Sequence, residues 1–146
     1  MIERFEGLQG QAARMNMLRA QFLIDGNTDL AKIIAAATVV KDYLPGAALF
    51  SEGDRGGELF FILEGQVSIR KRGRELTQCG AGIHVGEIGL LEPFKGRSAS
   101  VIAIDTVVVA QITLQKFIDI AETHPNLWRR MALELAHRLV QLQDAV

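Results

Sequence analysis

The residues best suited to holding an anion are concentrated between positions 85 and 101. Within this stretch, Glu87 and Arg97 place opposite charges in an otherwise apolar, glycine-rich segment. A guanidinium can take two oxygens of a phosphate, backbone N–H groups at the start of a short helix can face an anion, and a carboxylate can accept a hydrogen bond from a sugar hydroxyl. Ser98 adds a hydroxyl donor. The stretch therefore predicts a cradle for a cyclic phosphodiester.

Two motifs in this stretch resemble the phosphate-binding cassette of the cyclic nucleotide-binding domain family. The first is Gly-Glu-Ile-Gly-Leu at residues 86–90, and the second is Arg-Ser-Ala at residues 97–99. The cassette is most similar to the version in the bacterial catabolite activator protein, and the family also includes protein kinase A regulatory subunits and cyclic-nucleotide-gated channels. The similarity extends over about residues 29–142. A surface loop with one salt bridge is the alternative interpretation.

The resemblance implies a role for each residue of the cassette. Arg97 would pair with the phosphate, Glu87 would accept a hydrogen bond from the ribose 2′-hydroxyl, and Ala99 would let its strand pass close to the ligand. An ion pair between Arg97 and a neighbouring glutamate is the structural alternative. The residues assigned to phosphate and ribose are Gly86, Glu87, Ile88, Gly89, Leu90, Arg97, Ser98 and Ala99.

The same resemblance implies that the base lies between the barrel wall and the final helix, which acts as a lid. Arg138 falls where relatives often stack a side chain on the base, and a guanidinium can stack on a purine. A solvated arginine on the helix surface is the alternative. Ile69 and Leu76 would be core residues in any β-roll, so their ligand role competes with a packing role. The residues assigned to base and lid are Ile69, Leu76, Thr77, Val85, Leu135, Arg138, Leu139 and Leu142.

Length, charge and cysteine content narrow the class of protein. A chain of 146 residues fits one domain with a core of its own. Sixteen Lys and Arg against seventeen Asp and Glu give a net charge of −1, so nothing attracts the whole molecule to nucleic acid or to an anionic membrane. The single cysteine, Cys79, has no intrachain partner and fits a reducing compartment. No run approaches the roughly 20 apolar residues of a membrane span. We expect a cytoplasmic protein.

Hydrophobic periodicity predicts helices at both ends of the chain. Apolar residues spaced three and four apart predict a helical segment over residues 2–24, and Thr28 is the expected N-cap of a second helix over residues 29–37. A helix over residues 114–123 is ended by a His-Pro pair, and a last helix covers residues 127–144.

Between these helices, glycine-containing turns recur roughly every 8 to 12 residues, as they do in an antiparallel sandwich or barrel. We therefore predict an α+β fold: an antiparallel β-roll (a double-stranded β-helix, jelly-roll-like) with N-terminal helices and two C-terminal helices, the last of which is the lid. Residues 1–27 would form an N-terminal helical segment and residues 28–146 the nucleotide-binding domain. The predicted strands cover residues 39–43, 48–51, 59–64, 66–71, 75–79, 98–103 and 106–113.

Two amphipathic segments are candidates for contacts between subunits. The apolar stripe of the N-terminal segment either packs on its own domain or serves a second subunit. The final helix repeats apolar residues at alternating steps of four and three, so it can lie on the β-roll or form a seam with a second copy. A homodimer through either segment is one expectation. The residues of the final stripe are Trp128, Ala132, Leu135, Leu139 and Leu142.

The functional prediction is a sensor without catalytic activity. It binds cyclic AMP, or cyclic GMP, and passes the signal through the C-terminal helix to an unknown protein partner. No cofactor and no metal are expected, because His84, His124 and His137 do not form a ligand set with metal-binding spacing. Binding to nucleic acid by the chain itself, or to a membrane, is not expected.

Several alternatives remain at this point. The chain could be an interaction module that keeps the fold but binds no nucleotide, although both Glu87 and Arg97 are retained. Because the sequence stops at Val146, it is either a free-standing sensor or the regulatory fragment of a larger transcription factor or channel. An enzyme of the cupin type would need more histidines than this chain offers.

Overall fold

The computed structural model describes residues 2–88 and 96–144, in which eight strands form two four-stranded antiparallel sheets. One sheet has the strand order β1-β8-β3-β6 and the other has the order β2-β7-β4-β5. The predicted α+β class with an antiparallel β-roll is confirmed. The strands are β1 (Val39–Tyr43), β2 (Ala48–Phe50), β3 (Glu58–Glu64), β4 (Gln66–Lys71), β5 (Arg74–Gly80), β6 (His84–Val85), β7 (Ser100–Ala103) and β8 (Val107–Thr113).

Strand β3 joins the two hydrophobic cores of the domain. Side chains alternate between the two faces of a strand, so Leu59, Phe61 and Leu63 pack in the core under the helices, while Phe60 and Ile62 pack between the sheets. A strand buried on both faces is an almost continuous apolar run, as this one is. Because β3 also pairs with β6, it fixes the position of the chain just before the glycine-rich turn.

Caps and packing set the helix bounds. The Asn27 side chain accepts a hydrogen bond from the Leu30 amide at 3.1 Å, so Asn27 is the N-cap of the second helix. The prediction of Thr28 was wrong, because Thr28 is already the first helical residue. None of the described helices is long and apolar enough to cross a lipid bilayer. The helices are a 3₁₀ turn at Ile2–Phe5, α1 (Gly7–Arg19), α2 (Thr28–Ala37), α3 (Leu114–Thr123) and α4 (Asn126–Asp144).

The N-terminal helical segment is shorter than predicted. Helix α1 ends at Arg19, and the following residues turn back, with the Gly26 amide bonded to the Arg19 carbonyl at 2.9 Å. Asp25 at φ 54° and Gly26 at φ 77° lie in the left-handed region, which a right-handed helix does not continue through. Phe22 is an apolar residue of this turn that continues the helical spacing, which is why the predicted helix was too long.

The final helix packs through a face rotated from the predicted stripe. Its buried side chains are Leu127, Met131 and Glu134, whereas Trp128 and Leu139 are exposed. Of the stripe residues, Leu135 is partly buried against the core and the Trp128 ring lies edge-on to Phe117, so the whole stripe does not lie on the roll. The other possibility, a seam with a second copy, stays a prediction. Glu134 is buried on this helix because Arg138, one turn later, pairs with it.

The seven predicted strands are all present, with bounds that agree within two residues. The two-residue strand β6 was not predicted. It is held by pairing with Phe60 and Phe61 of β3, more than twenty residues earlier, and not by any local pattern of its own.

Candidate functional site

A small hollow lies where the two sheets, the turn after β6 and helix α4 meet. Its volume is about 70 Å³, well below the roughly 300–1,000 Å³ of typical small-molecule sites, so it is largely closed in this conformation. Both charged residues of the predicted cassette face it. The residues that line it are Phe50, Ile69, Val85, Gly86, Glu87, Ile88, Arg97, Ser98, Ala99, Val101 and Arg138.

Arg97 is a buried cation held mainly by backbone oxygens. Its Nη1 donates to the Gly86 carbonyl at 3.1 Å and its Nη2 to the Glu58 carbonyl at 2.9 Å. The Glu58 carboxylate is 3.7 Å away and partly exposed, so water screens it. Nε has no hydrogen-bond partner among the described residues. Burial lowers the pKa of Arg97, and the negative charge of Glu58 is the largest effect that opposes this shift. In the described part of the chain no carboxylate lies within hydrogen-bond distance of this guanidinium, so an anion in the hollow would compensate its buried charge.

Aromatic rings cover one face of the same guanidinium. The Cζ atom of Arg97 lies 4.1 Å from the centre of the Phe50 ring and 5.9 Å from the centre of the Phe60 ring. Such cation–π contacts favour a charge that is withdrawn from water. Phe50 was not predicted as a site residue, because it reaches the hollow only through the pairing of β2 with β7.

The turn after β6 brings its backbone close to Arg97. Gly86 has φ 101°, in the region that glycine adopts readily. A Cβ atom at this position would lie 2.8 Å from the Glu58 carbonyl oxygen and 3.0 Å from Nη1 of Arg97. Only glycine therefore lets the carbonyl of this residue accept from Arg97 while the chain passes over β3.

Glu87 is also buried, with 4% of its surface exposed, and it is already paired. Nη1 of Arg138 donates to its Oε1 at 2.6 Å, Nε of Arg138 donates to Glu134 at 3.0 Å, and Nη2 donates to the His84 carbonyl. Burial raises the pKa of the Glu87 carboxyl, and the Arg138 charge is the main opposing effect. Arg138 is thus tied to the cassette, so the alternative of a solvated surface arginine is wrong.

His84 is a neutral side chain of the core next to this cluster. It is 1% exposed, and burial, with a smaller effect of Arg138, lowers its pKa to about 3. Its Nε2 is 3.9 Å from Oε2 of Glu87, beyond hydrogen-bond distance. Within residues 2–88 and 96–144, no three His, Cys, Asp or Glu side chains gather in a group that could hold a metal ion.

The structure brings nine of the predicted site residues to the hollow: Gly86, Glu87, Ile88, Arg97, Ser98, Ala99, Ile69, Val85 and Arg138. Gly89 and Leu90 lie outside the described residues. Leu76 is exposed at the register shift between β4 and β5, and Thr77 is half-buried opposite Ile69.

The predicted apolar cap lies off the wall of the hollow. Leu135 packs against the helical core, while Leu139 and Leu142 are exposed farther along α4. Their role in ligand contact stays a prediction. Glu134 was not predicted as a site residue. A glutamate four residues before an arginine on a helix is a pattern that indicates an ion pair, and this pair is present.

Comparisons with known proteins agree with this architecture. The family model described as "Cyclic nucleotide-binding domain" matches residues 40–124. The chain is 35% identical over 146 residues to the Pycsar effector protein PaPycTIR of Pseudomonas aeruginosa, covering 100% of this chain and 47% of that protein. It is 30% identical over 112 residues to the cAMP-activated global transcriptional regulator CRP of Escherichia coli, covering 73% of this chain and 53% of the regulator.

Among solved structures, the catabolite activator protein of Thermus thermophilus superposes with a TM-score of 0.73 at 25% identity, covering 84% of this chain and 60% of the other. The chain spans about half the length of the curated relatives it matches.

Proposed function

The chain belongs to the cyclic nucleotide-binding domain family, and from this we propose that it is a sensor for a purine 3′,5′-cyclic mononucleotide. Cyclic AMP is the first candidate, because the cassette is most similar to that of the bacterial activator, and cyclic GMP is the second. The cassette at residues 86–90 and 97–99 holds the phosphate and ribose, and α4 reports occupancy. The domain itself does no chemistry.

The observation that carries this proposal is that Arg97 and Glu87 line one hollow. Among residues 2–88 and 96–144, Nε of this guanidinium has no hydrogen-bond partner and the nearest carboxylate, that of Glu58, is 3.7 Å away, which supports a role in neutralising a phosphate. The carboxylate is one short turn away, which suits a hydrogen bond from a ribose hydroxyl. Ser98 and Ala99 complete the wall on the phosphate side.

Occupancy requires a rearrangement at the base end of the site. A hollow of about 70 Å³ is too small for a whole nucleotide, and Arg138 fills the space between Glu87 and Glu134. The base therefore enters only if Arg138, and with it α4, shifts. A ligand favours the shifted state by its difference in affinity between the two conformations, which is how binding becomes a signal.

The receiver of the signal is a further part of the protein or a separate partner. The chain matches only 47% of the Pycsar effector and 53% of the transcriptional regulator, whose remaining lengths lie beyond the matched region. We propose that this domain detects the nucleotide and that another part of the protein, or a separate partner, produces the response.

Isothermal titration of the purified chain with cyclic AMP and with cyclic GMP tests the proposal. We expect a dissociation constant in the micromolar range or tighter, equivalent to about −8 kcal/mol. 5′-AMP is the matched control, because it keeps the base and ribose but carries an open, doubly charged phosphate. Absence of binding heat from both cyclic nucleotides would leave an interaction module without a ligand, a second candidate that the exposed apolar residues of α4 favour.

A further inference from the structure

Four charged side chains lie in and beside the hollow. Two are cations, Arg97 and Arg138, and two are carboxylates, Glu87 and Glu134. Glu87, Arg97 and Glu134 are each more than nine-tenths buried, and the Arg138 side chain is 14% exposed. Arg138 contacts both Glu87 and Glu134, whereas Arg97 lies 3.7 Å from the partly exposed Glu58 carboxylate.

Glu134 interacts with charged and titratable groups from two other segments as well as its own helix. Arg138 is one turn later on α4, Glu87 lies in the turn after β6, and Cys79 belongs to β5. Burial is the main reason that the pKa values of Glu87 and Cys79 are raised, and the negative charge of Glu134 adds to both shifts. The field of Glu134 therefore reaches the residue expected to bind the ribose.

A cyclic phosphodiester changes this balance, because it brings one negative charge and stays ionised near neutral pH. Glu87 and Glu134 share one cation, Arg138, so a further anion beside them adds negative charge, which is costly away from water. If Arg97 and Arg138 turn toward the ligand, each carboxylate also loses part of its cationic partner. Two interacting carboxylates respond by sharing a proton.

We propose that Glu134 is a residue of the nucleotide site that sets its affinity, and that capture of the nucleotide is coupled to uptake of a proton by the Glu87 and Glu134 carboxylates. This inference rests on the proposed function. The complex holds more protons than the free protein, so affinity falls as pH rises through the range in which the complex releases the added proton. The fall reaches about tenfold per pH unit where one whole proton is taken up.

Calorimetric titration of the whole chain with cyclic AMP and cyclic GMP, in PIPES and in imidazole at the same near-neutral pH, measures the proton. The two buffers differ in ionisation enthalpy, so the apparent binding enthalpy differs between them only if protons are exchanged. We expect a difference whose sign corresponds to uptake.

Substituting Glu134 alone tests its contribution to binding apart from that of the other site residues. Glu134→Gln keeps an acceptor for Nε of Arg138 but removes a negative charge that opposes a bound anion. Binding should tighten by about tenfold, which corresponds to one pKa unit of charge interaction, and the buffer dependence should shrink. Glu134→Met is a second neutral variant of similar size. Glu122→Gln, at an exposed position of α3, is the matched control and should bind as the wild type does.

Each outcome decides the matter. Equal enthalpies in the two buffers, with clear binding, would overturn the proton coupling and leave the proposed function standing. Weaker binding by a Glu134→Gln protein that melts normally would also overturn the inference, since the glutamate would then only hold Arg138 in place. No binding heat under any condition would overturn both proposals. If both Glu134 variants fail to fold, the buffer comparison on the wild type decides alone.

Discussion

Nη1 of Arg138 donates to Oε1 of Glu87 across 2.6 Å and joins the final helix to the glycine-rich turn 51 residues earlier. Both side chains are largely buried, so water screens the pair little. The carboxylate expected to hold the sugar is therefore engaged by the helix expected to report binding. If a ribose hydroxyl binds Glu87, the ligand and the helix position are linked through this one side chain.

Arg97→Ala should weaken binding of cyclic AMP by at least about 100-fold, roughly the free energy of two charge-assisted hydrogen bonds. The melting temperature, followed by circular dichroism, shows whether the loss is local. Arg97→Lys is the matched control, because it keeps a charge but not the planar fork, and it should recover only part of the affinity. Unchanged affinity in the alanine variant would place the phosphate elsewhere.

Arg138→Ala should lower the affinity for the purine nucleotide and also destabilise the free protein. The free protein should lose stability because the substitution leaves Glu87 and Glu134 buried without their cation. We expect a loss of about 3 kcal/mol in the free energy of unfolding, measured with urea. A double-mutant cycle with Glu87→Gln should show strong coupling, and additive effects would argue against the pair.

Gly86→Ala should distort the anion site. The added Cβ meets the Glu58 carbonyl oxygen and Nη1 of Arg97, and the residue has φ 101°. Gly46→Ala is the control, since its φ is 87° but nothing lies within 4 Å of the added atom. The control should lose about 1 kcal/mol of stability from backbone strain alone. Gly86→Ala should lose more and should also bind nucleotide more weakly, and equal effects of the two substitutions would show that the close approach is unimportant.

The stability of the domain should fall as pH is lowered, because of His84. Its pKa of about 3 in the folded protein is below the ordinary value of 6.5, so the unfolded chain binds the extra proton between these values. This contribution is complete above pH 6.5 and is lost on acidification by up to about 1.4 kcal/mol per pH unit. Glu87, whose pKa is raised, acts in the opposite direction. Urea unfolding at several pH values should show a flatter profile for His84→Phe, and an identical slope would mean that other groups carry the dependence.

Local patterns predicted the β-roll because turn glycines, strand lengths and the cassette are short-range signals. The cassette pair of Glu87 and Arg97 could be predicted by resemblance, and both residues do face one hollow. Phe50 and strand β6 could not be predicted, since each depends on pairing with a distant strand. The buried face of α4 was not predicted, because the ion pair that allows Glu134 to be buried depends on Arg138 and cannot be seen in apolar spacing.

The described end of α4 has a mechanical consequence. Leu127 is buried at one end of the helix, Arg138 is anchored near its middle, and every described residue from Leu139 onward is exposed. From Leu127 to Asp144 the helix is about 26 Å long. A tilt of about 10° as Arg138 changes partner would swing its tip by about 4–5 Å. Such a tilt would make the helix a lever arm, turning a side-chain exchange into a displacement large enough to make or break an interface.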